Sequence, residues 1–150
     1  MGRPLFTPLL PKSMITQARL VKPEEIPYIW VSVKPLIEKA LVHANGEMLS
    51  SDVLKLLLNN TENLFIGYDN DEILSALVGE IISYPQKKVF RIITWSTKSG
   101  HDYEAWIDLF DTIEYFAKRK GCDSIEAWTR KGLARKLKWD NEYSVITKNI

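Results

Sequence analysis

Two different spacings of apolar residues divide most of the chain into elements. Near-continuous apolar runs over 63–68, 72–83 and 88–94 predict three strands, joined by polar turns into an antiparallel meander. A shorter alternating pattern over 14–21 predicts a strand before them. Because the three runs contain few polar positions, we expect helices to cover at least one face of the sheet.

Helical spacing of apolar residues occurs in three other stretches. The first begins at Glu25, but Pro35 removes a backbone donor in its middle and predicts a break into two short helices. The second covers 50–58. The third is the clearest, because it has an N-cap candidate in Asp102 and a helix-ending residue in Gly121. One face of this third helix carries its apolar residues, which are Trp106, Leu109, Phe110, Ile113, Phe116 and Ala117.

The remaining elements complete a single α+β (α/β) domain over 14–150. A strand over 124–129 follows the third helix, which is the connection that a parallel strand pair requires. A short helix is predicted over 132–139 and a last strand over 142–148. The predicted order is β-α-α-β-β-β-α-β-α-β, with a mixed central sheet of about six to seven strands flanked by helices.

The first 13 residues have no helical or strand period and form a predicted extended arm. Three prolines lie within the first eleven positions. Solvated tails are normally polar, whereas this arm carries four apolar residues. We therefore expect either a loosely attached terminus or an arm that docks on a partner or on its own domain. Its contact residues would be Leu5, Phe6, Leu9 and Leu10.

Composition narrows the possible functions. The formal charge is +1, from 20 basic and 19 acidic side chains, and gives no global case for a nucleic-acid-binding protein. A single cysteine and two distant histidines argue against a metal site. No segment has the apolar length of a membrane span, so we expect a soluble protein with no membrane partner.

One local charge asymmetry lies between 118 and 138, where basic residues dominate. Such a face would contact an acidic protein surface, a 3′-phosphate or, as a weaker option, nucleic acid. A solvated helix end is the commoner meaning of such a pattern. The candidate partner-binding residues on this stretch are Arg130, Lys131 and Arg135.

The order of elements over 14–150 resembles the GNAT superfamily of N-acetyltransferases. That resemblance implies that the loop at 96–102, between the fourth strand and the third helix, holds the pyrophosphate of acetyl-CoA. Free backbone N–H groups and the positive dipole end make a helix N-terminus suited to phosphate. The positions implied for cofactor binding are Thr97, Lys98, Ser99, Gly100, His101 and Asp102.

The loop departs from the family motif Q/R-x-x-G-x-G/A. Gly100 aligned with the first glycine places Thr97 at the Q/R position and Asp102 at the final small residue. Aligned with the second glycine, Gly100 places Trp95 at the Q/R position and Lys98 on the first glycine. A carboxylate at Asp102 would repel phosphate. We therefore expect a degenerate acyl-CoA site without cofactor, and acetyl-CoA as the cofactor if the protein is an enzyme.

The end of the chain, CDSIEAWTRKGLARKLKWDNEYSVITKNI, is similar to the end of short GNAT-like proteins of tailed bacteriophages, as is the hairpin ISYPQKKVFRI at 82–92. Some of those proteins are virion components. The resemblance implies a virion-associated interaction protein, located in the host cytoplasm or also in the particle, with phage proteins as partners. The alternative is an acetyl-CoA-dependent N-acetyltransferase acting on an unknown amine.

An acetyltransferase needs a base for the amine proton and an acid for the leaving thiolate. Glu80 interrupts an apolar strand and is a candidate base facing the cleft. It would equally lie on a solvated face or pair with Arg91 across the hairpin. The family resemblance implies a tyrosine acid near the fourth helix, where this chain has none. Tyr143 on the last predicted strand is the nearest candidate, and a packing role is its simpler explanation.

Overall fold

The computed structural model describes residues 17–44, 46–98, 109–127, 138–140 and 146–150. They form a sheet flanked by helices on both faces. The strands are β1 (Gln17–Val21), β2 (Asn63–Asp69), β3 (Glu72–Ser83), β4 (Lys88–Thr97) and β5 (Ser124–Ala127). The helices are α1 (Ile26–Leu41), which follows a short 3-10 helix at Pro23–Glu25, α2 (Ser50–Leu58) and α3 (Leu109–Arg119).

The five strands lie side by side in chain order. β1 to β4 pair antiparallel, which confirms the predicted meander. β4 and β5 pair in parallel across the crossover that contains α3. The mixed sheet and its order confirm the predicted α+β fold. The described residues contain five strands, slightly fewer than the six to seven expected.

Each face of the sheet has its own apolar core. Alternate residues of a strand point to opposite faces, so neighbouring residues of β2 serve different cores. Phe65 packs with α3 on one face, whereas Leu64 and Ile66 pack with α1 and α2 on the other. The buried side chains that the helices contribute are Leu109, Phe110, Ile113 and Ala117 of α3, Ile26, Val33, Leu36 and Ile37 of α1, and Val53 and Leu57 of α2.

An aromatic contact fixes the face that α3 covers. The ring of Phe90 meets Phe65 and Phe116 edge to face, with centroids 5.8 and 5.7 Å apart. Gly79 on β3 leaves room for this ring, because a Cβ there would lie 2.1 Å from Phe90 Cζ. The glycine is therefore required by packing.

The break predicted at Pro35 is wrong, because α1 runs unbroken from Ile26 to Leu41 with the proline inside it. Pro35 lies on the exposed side, while Val33 and Leu36 on either side of it are buried. The missing N–H would have bonded the carbonyl of Val31, whose side chain is exposed, so water can reach that region. Core packing outweighs the local propensity.

Several other predicted boundaries change or lie outside the described residues. The prediction of a last strand is wrong over 146–148, where the chain is not a strand. Ile146 is exposed there, and no strand in the described residues pairs with it. The short helix predicted over 132–139 does not extend to Lys138, because the φ of Lys138 is +59°, which is not a helical backbone angle. Trp139 instead packs against Phe110, with centroids 5.5 Å apart. The arm at 1–13 and the cap residue Asp102 lie outside the described residues.

We expect Gly79→Ala to lower the free energy of unfolding by about 1–3 kcal/mol, because the new methyl group overlaps the fixed ring of Phe90. Urea denaturation measures the change. The control is a double-mutant cycle with Phe90→Leu, which removes the ring edge. The two losses should then sum to more than the loss of the double variant, and simple additivity would contradict the proposed overlap.

Candidate functional site

A row of four charged residues crosses one face of the sheet. Glu80 of β3 lies opposite Arg91 of β4, which lies opposite Glu126 of β5. The register of β2 with β3 continues this line to Glu62, just before β2. The strand alternation places all four on the face of α1 and α2. We call this set, Glu62, Glu80, Arg91 and Glu126, the charged row.

Glu62 is the most unusual member of the row. Its residue is only 1 % exposed, and no group in the described part of the chain hydrogen-bonds to either carboxylate oxygen. Burial in an apolar environment, with a further contribution from the negative charge of Glu80, raises the pKa of Glu62 to about 7. Glu62 therefore exchanges its proton near neutral pH, next to a second carboxyl group.

The other end of the row is held by hydrogen bonds. Arg91 Nε donates to Glu126 Oε2 at 3.0 Å, and Arg91 Nη2 donates to the hydroxyl oxygen of Tyr84 at 2.7 Å. The side chains of Arg91 and Glu126 are both about four-fifths buried. The ion pair thus gives the row a fixed end on β4 and β5. With all three carboxyl groups ionised, the row carries two more negative than positive charges.

Among the described residues, the pairing of β4 with β5 extends to a point beside the charged row. Ile92 and Ala127 are the last described pair, and none of the described residues pairs with the outer edge of β4 over 93–97. A register shift against β3 at the same level leaves Ile93 as an extra residue in β4. We call this point the β4–β5 junction. Over 93–97, the backbone N–H and C=O groups on the outer edge of β4 face away from β3.

Two ammonium groups lie where β4 ends. Lys39 Nζ of α1 donates to the carbonyl oxygen of Thr97 at 2.6 Å. Lys98 Nζ forms an ion pair with Glu72 Oε2 at 2.9 Å, and its backbone N–H donates to the carbonyl of Leu74. The outer edge of β4 therefore runs from an acidic row at one end to two cations at the other.

The structure separates the predicted site residues. Glu80 lies in the charged row, and its role as a base stays a prediction. The predicted loop at 96–102 begins too early, because Ser96 and Thr97 pair with β3 as the end of β4. Lys98 follows directly. The other predicted residues, which are Ser99, Gly100, His101, Asp102, Tyr143, Leu5, Phe6, Leu9, Leu10, Arg130, Lys131 and Arg135, lie outside the described residues and stay predictions.

Sequence reasoning missed Glu62, Glu126 and Lys39 as site residues. Glu62 had a detectable signal, since it precedes an apolar strand at an alternation position shared with Leu64 and Ile66. A charged residue on the core side of such a pattern is unusual. Lys39 had no such signal, because its contact with β4 depends on the packing of α1 across the sheet.

Comparisons with known proteins agree with this architecture. No family model matches the chain, and no curated protein matches its sequence. An aminoglycoside acetyltransferase from an uncultured soil metagenomic sample, solved with sisomicin, matches with a TM-score of 0.69 and 17% identity, over 89% of this chain and 94% of that one. A GNAT family acetyltransferase of Staphylococcus aureus matches with a TM-score of 0.66 and 15% identity, over 91% and 100%.

A third neighbour is the ribosomal-protein-alanine N-acetyltransferase of Brucella melitensis, with a TM-score of 0.66 and 10% identity over 90% of this chain and 100% of that one. Identities this low establish the fold alone. The chain therefore has a GNAT-like fold over most of its length. The resemblance to bacteriophage proteins stays a prediction.

Neither a metal-binding cluster nor a membrane-spanning helix occurs in the described residues. Within them, no group of three or more His, Cys, Asp or Glu side chains is placed to hold a metal ion. None of their helices combines the length and apolar character needed to span a membrane.

We expect the stability of the protein to depend on pH through Glu62. Its folded pKa of about 7 lies above the reference value of 4.5, so the folded state binds the proton more tightly. The resulting stabilisation is present below about pH 4.5 and is lost as pH rises through about 7. Relative to the wild type, Glu62→Gln should gain about 3 kcal/mol in unfolding free energy between pH 4.5 and 8.

Urea unfolding at closely spaced pH values measures this difference. Glu24→Gln is the matched control, because Glu24 is exposed. Glu80→Gln should move the pH window of Glu62 downward, since it removes a neighbouring negative charge. Parallel pH profiles for Glu62→Gln and the wild type would contradict the assignment.

Proposed function

We propose that this protein is an N-acyltransferase that transfers the acyl group of acetyl-CoA to an amine. The observation that carries the proposal is the position of the charged row, which ends at the β4–β5 junction of a GNAT-like fold. Carboxyl groups beside a strand edge that no described residue covers place a proton acceptor next to a surface that can bind an extended ligand. The acetyltransferases among the structural neighbours support the same reaction class.

The described residues fit an acyl-CoA. The outer edge of β4 over 93–97 offers backbone donors and acceptors to the amide groups of a pantetheine arm. Lys39 supplies positive charge where β4 ends, which suits a pyrophosphate, whereas Lys98, also where β4 ends, is in an ion pair with Glu72. The phosphate contacts that the resemblance implies for Thr97 to Asp102 are part of this proposal. When bound, acyl-CoA supplies a thioester that is open to attack by an amine.

Glu80 is the proposed base. It is half-buried, so it can reach a bound amine, whereas Glu62 behind it is shielded from solvent. The excess negative charge of the row favours an amine that arrives as a cation. In the reaction Glu80 would first take one proton from the ammonium group, which gives a neutral amine. As the amine attacks, the C–N bond forms and the C–S bond breaks, and the second proton on nitrogen passes to the leaving thiolate through Tyr143 or water.

The second candidate is a GNAT-fold interaction protein with a degenerate acyl-CoA site, associated with a tailed-phage particle. The single glycine of the loop and the carboxylate of Asp102 favour it, as does the phage resemblance of the chain end. Its contacts would be the apolar arm and the basic residues Arg130, Lys131 and Arg135. Nucleic acid is a weaker partner for the same residues. In this case the protein would be found in the host cytoplasm and in the virion.

Titration calorimetry with acetyl-CoA separates the two candidates. We expect one site per chain with a dissociation constant in the micromolar range. Adenosine 3′,5′-bisphosphate serves as the control, because it lacks the pantetheine arm and should bind more weakly. A complete absence of heat with acetyl-CoA at millimolar concentration would contradict the proposed enzyme activity. It would favour the interaction protein with a degenerate acyl-CoA site.

We expect Glu80→Gln to lower kcat about 10²-fold or more, because the amide cannot accept the amine proton. Thiol release from acetyl-CoA, measured with the primary amine that the wild-type protein acetylates best, gives the rate. The KM for acetyl-CoA should change little. Glu24→Gln, an exposed carboxyl far along the chain from the row, should retain the wild-type rate. Equal rates for both variants would remove Glu80 from the mechanism.

A further inference from the structure

An open groove of about 790 Å³ lies between α1 and the turn that joins β2 to β3. It is separate in its lining from the charged row. The exposed side of α1 forms one wall, and the turn at 69–73 forms the other. We call it the α1 groove. Its lining from these two walls includes Val31, Pro35, Asp69, Asp71 and Ile73.

The α1 wall is apolar where a solvated helix would be polar. Val31 is 85 % exposed and Pro35 is also exposed, and Tyr28, which lies one turn earlier on α1 and outside the groove lining, is 88 % exposed. These three residues are spaced at i, i+3 and i+7, so they form one stripe along the helix. Contiguous exposed apolar surface of this kind indicates a contact surface.

The opposite wall is acidic. Asp69, Asp71 and Glu72 lie together in the turn, and Lys98 pairs with Glu72. The groove therefore combines an apolar stripe with a net negative rim. An occupant with apolar side chains and positive charges would match both walls.

The start of the chain has this composition. Residues 1–16 contain Arg3 and Lys12 and no acidic residue, together with the apolar residues of the arm. The described chain begins at Gln17, which pairs with Tyr68, the neighbour of Asp69 in the groove wall. Followed backward from Gln17, β1 runs toward the β2–β3 turn. The eight residues from Leu10 to Gln17 span seven Cα–Cα steps and reach up to about 25 Å when extended.

We propose that the N-terminal arm docks in the α1 groove of its own chain. Leu9 and Leu10 pack on the stripe of α1, and Lys12 lies beside the acidic rim. A segment tethered at Gln17 has an effective concentration of about millimolar at the groove, which favours it over the arm of a second copy. The occupant is thus a segment of this chain, and the proposal does not depend on the catalytic one.

Disulfide trapping in the full-length chain tests this placement. Leu9→Cys is combined with Val31→Cys in a Cys122→Ala background, since Cys122 is the native cysteine. The control combines Leu9→Cys with Tyr115→Cys, which is exposed on α3 on the other face of the sheet. With oxidised glutathione at low protein concentration, we expect an intrachain disulfide at least tenfold faster in the first pair. Equal rates, no disulfide, or linked dimers would overturn the proposal.

Charge and packing are tested separately. Asp71→Lys should slow the trapping several-fold, whereas Glu47→Lys, also exposed but outside the groove, should leave it unchanged. Trypsin cleavage after Lys12 reports docking without any cysteine. Val31→Asp should speed that cleavage several-fold, and Val42→Asp, an equally exposed valine beyond the groove, should not. The same rate in both aspartate variants would overturn the packing of the arm on α1.

Discussion

The parallel pairing of β4 with β5 is the constraint on which the rest of the structure depends. Parallel strands cannot be joined by a tight turn, so the chain must cross one face of the sheet between them. In this protein α3 makes that crossing and covers the face of Phe65 and Phe90. The opposite face is then left for α1 and α2. Among the described residues this pairing covers four residues of each strand, and no described residue pairs with the far edge of β4 over 93–97.

The meander was predictable because its signal is local. The run at 72–83 coincides with β3 at both ends, since polar turn residues bound an apolar stretch on each side. Pro35 misled the prediction because the burial of Val33 and Leu36 cannot be seen in the sequence around it. Thr97 was assigned to a loop, although it is a strand residue by virtue of its partner Ser75, which lies 22 positions earlier.

The candidate site was predictable only in part, for a related reason. Glu80 stood out because it interrupts an apolar strand. The charged row did not, because its four members come from separate strands that only the sheet register brings into line. Glu62 breaks the usual rule that buried charges are paired. Proteins break such rules of stable folding most often at functional sites.

The chain-order arrangement of the strands also has a consequence for the folding pathway. β2, β3 and β4 are joined by short turns, so their contacts close only small loops and form at low entropic cost. β1 and β5 meet their partners across long intervening segments, with Gln17 opposite Tyr68 and Val89 opposite Ser124. The meander is thus suited to form first and the outer strands to join later. We therefore expect the β4–β5 junction to assemble after the meander.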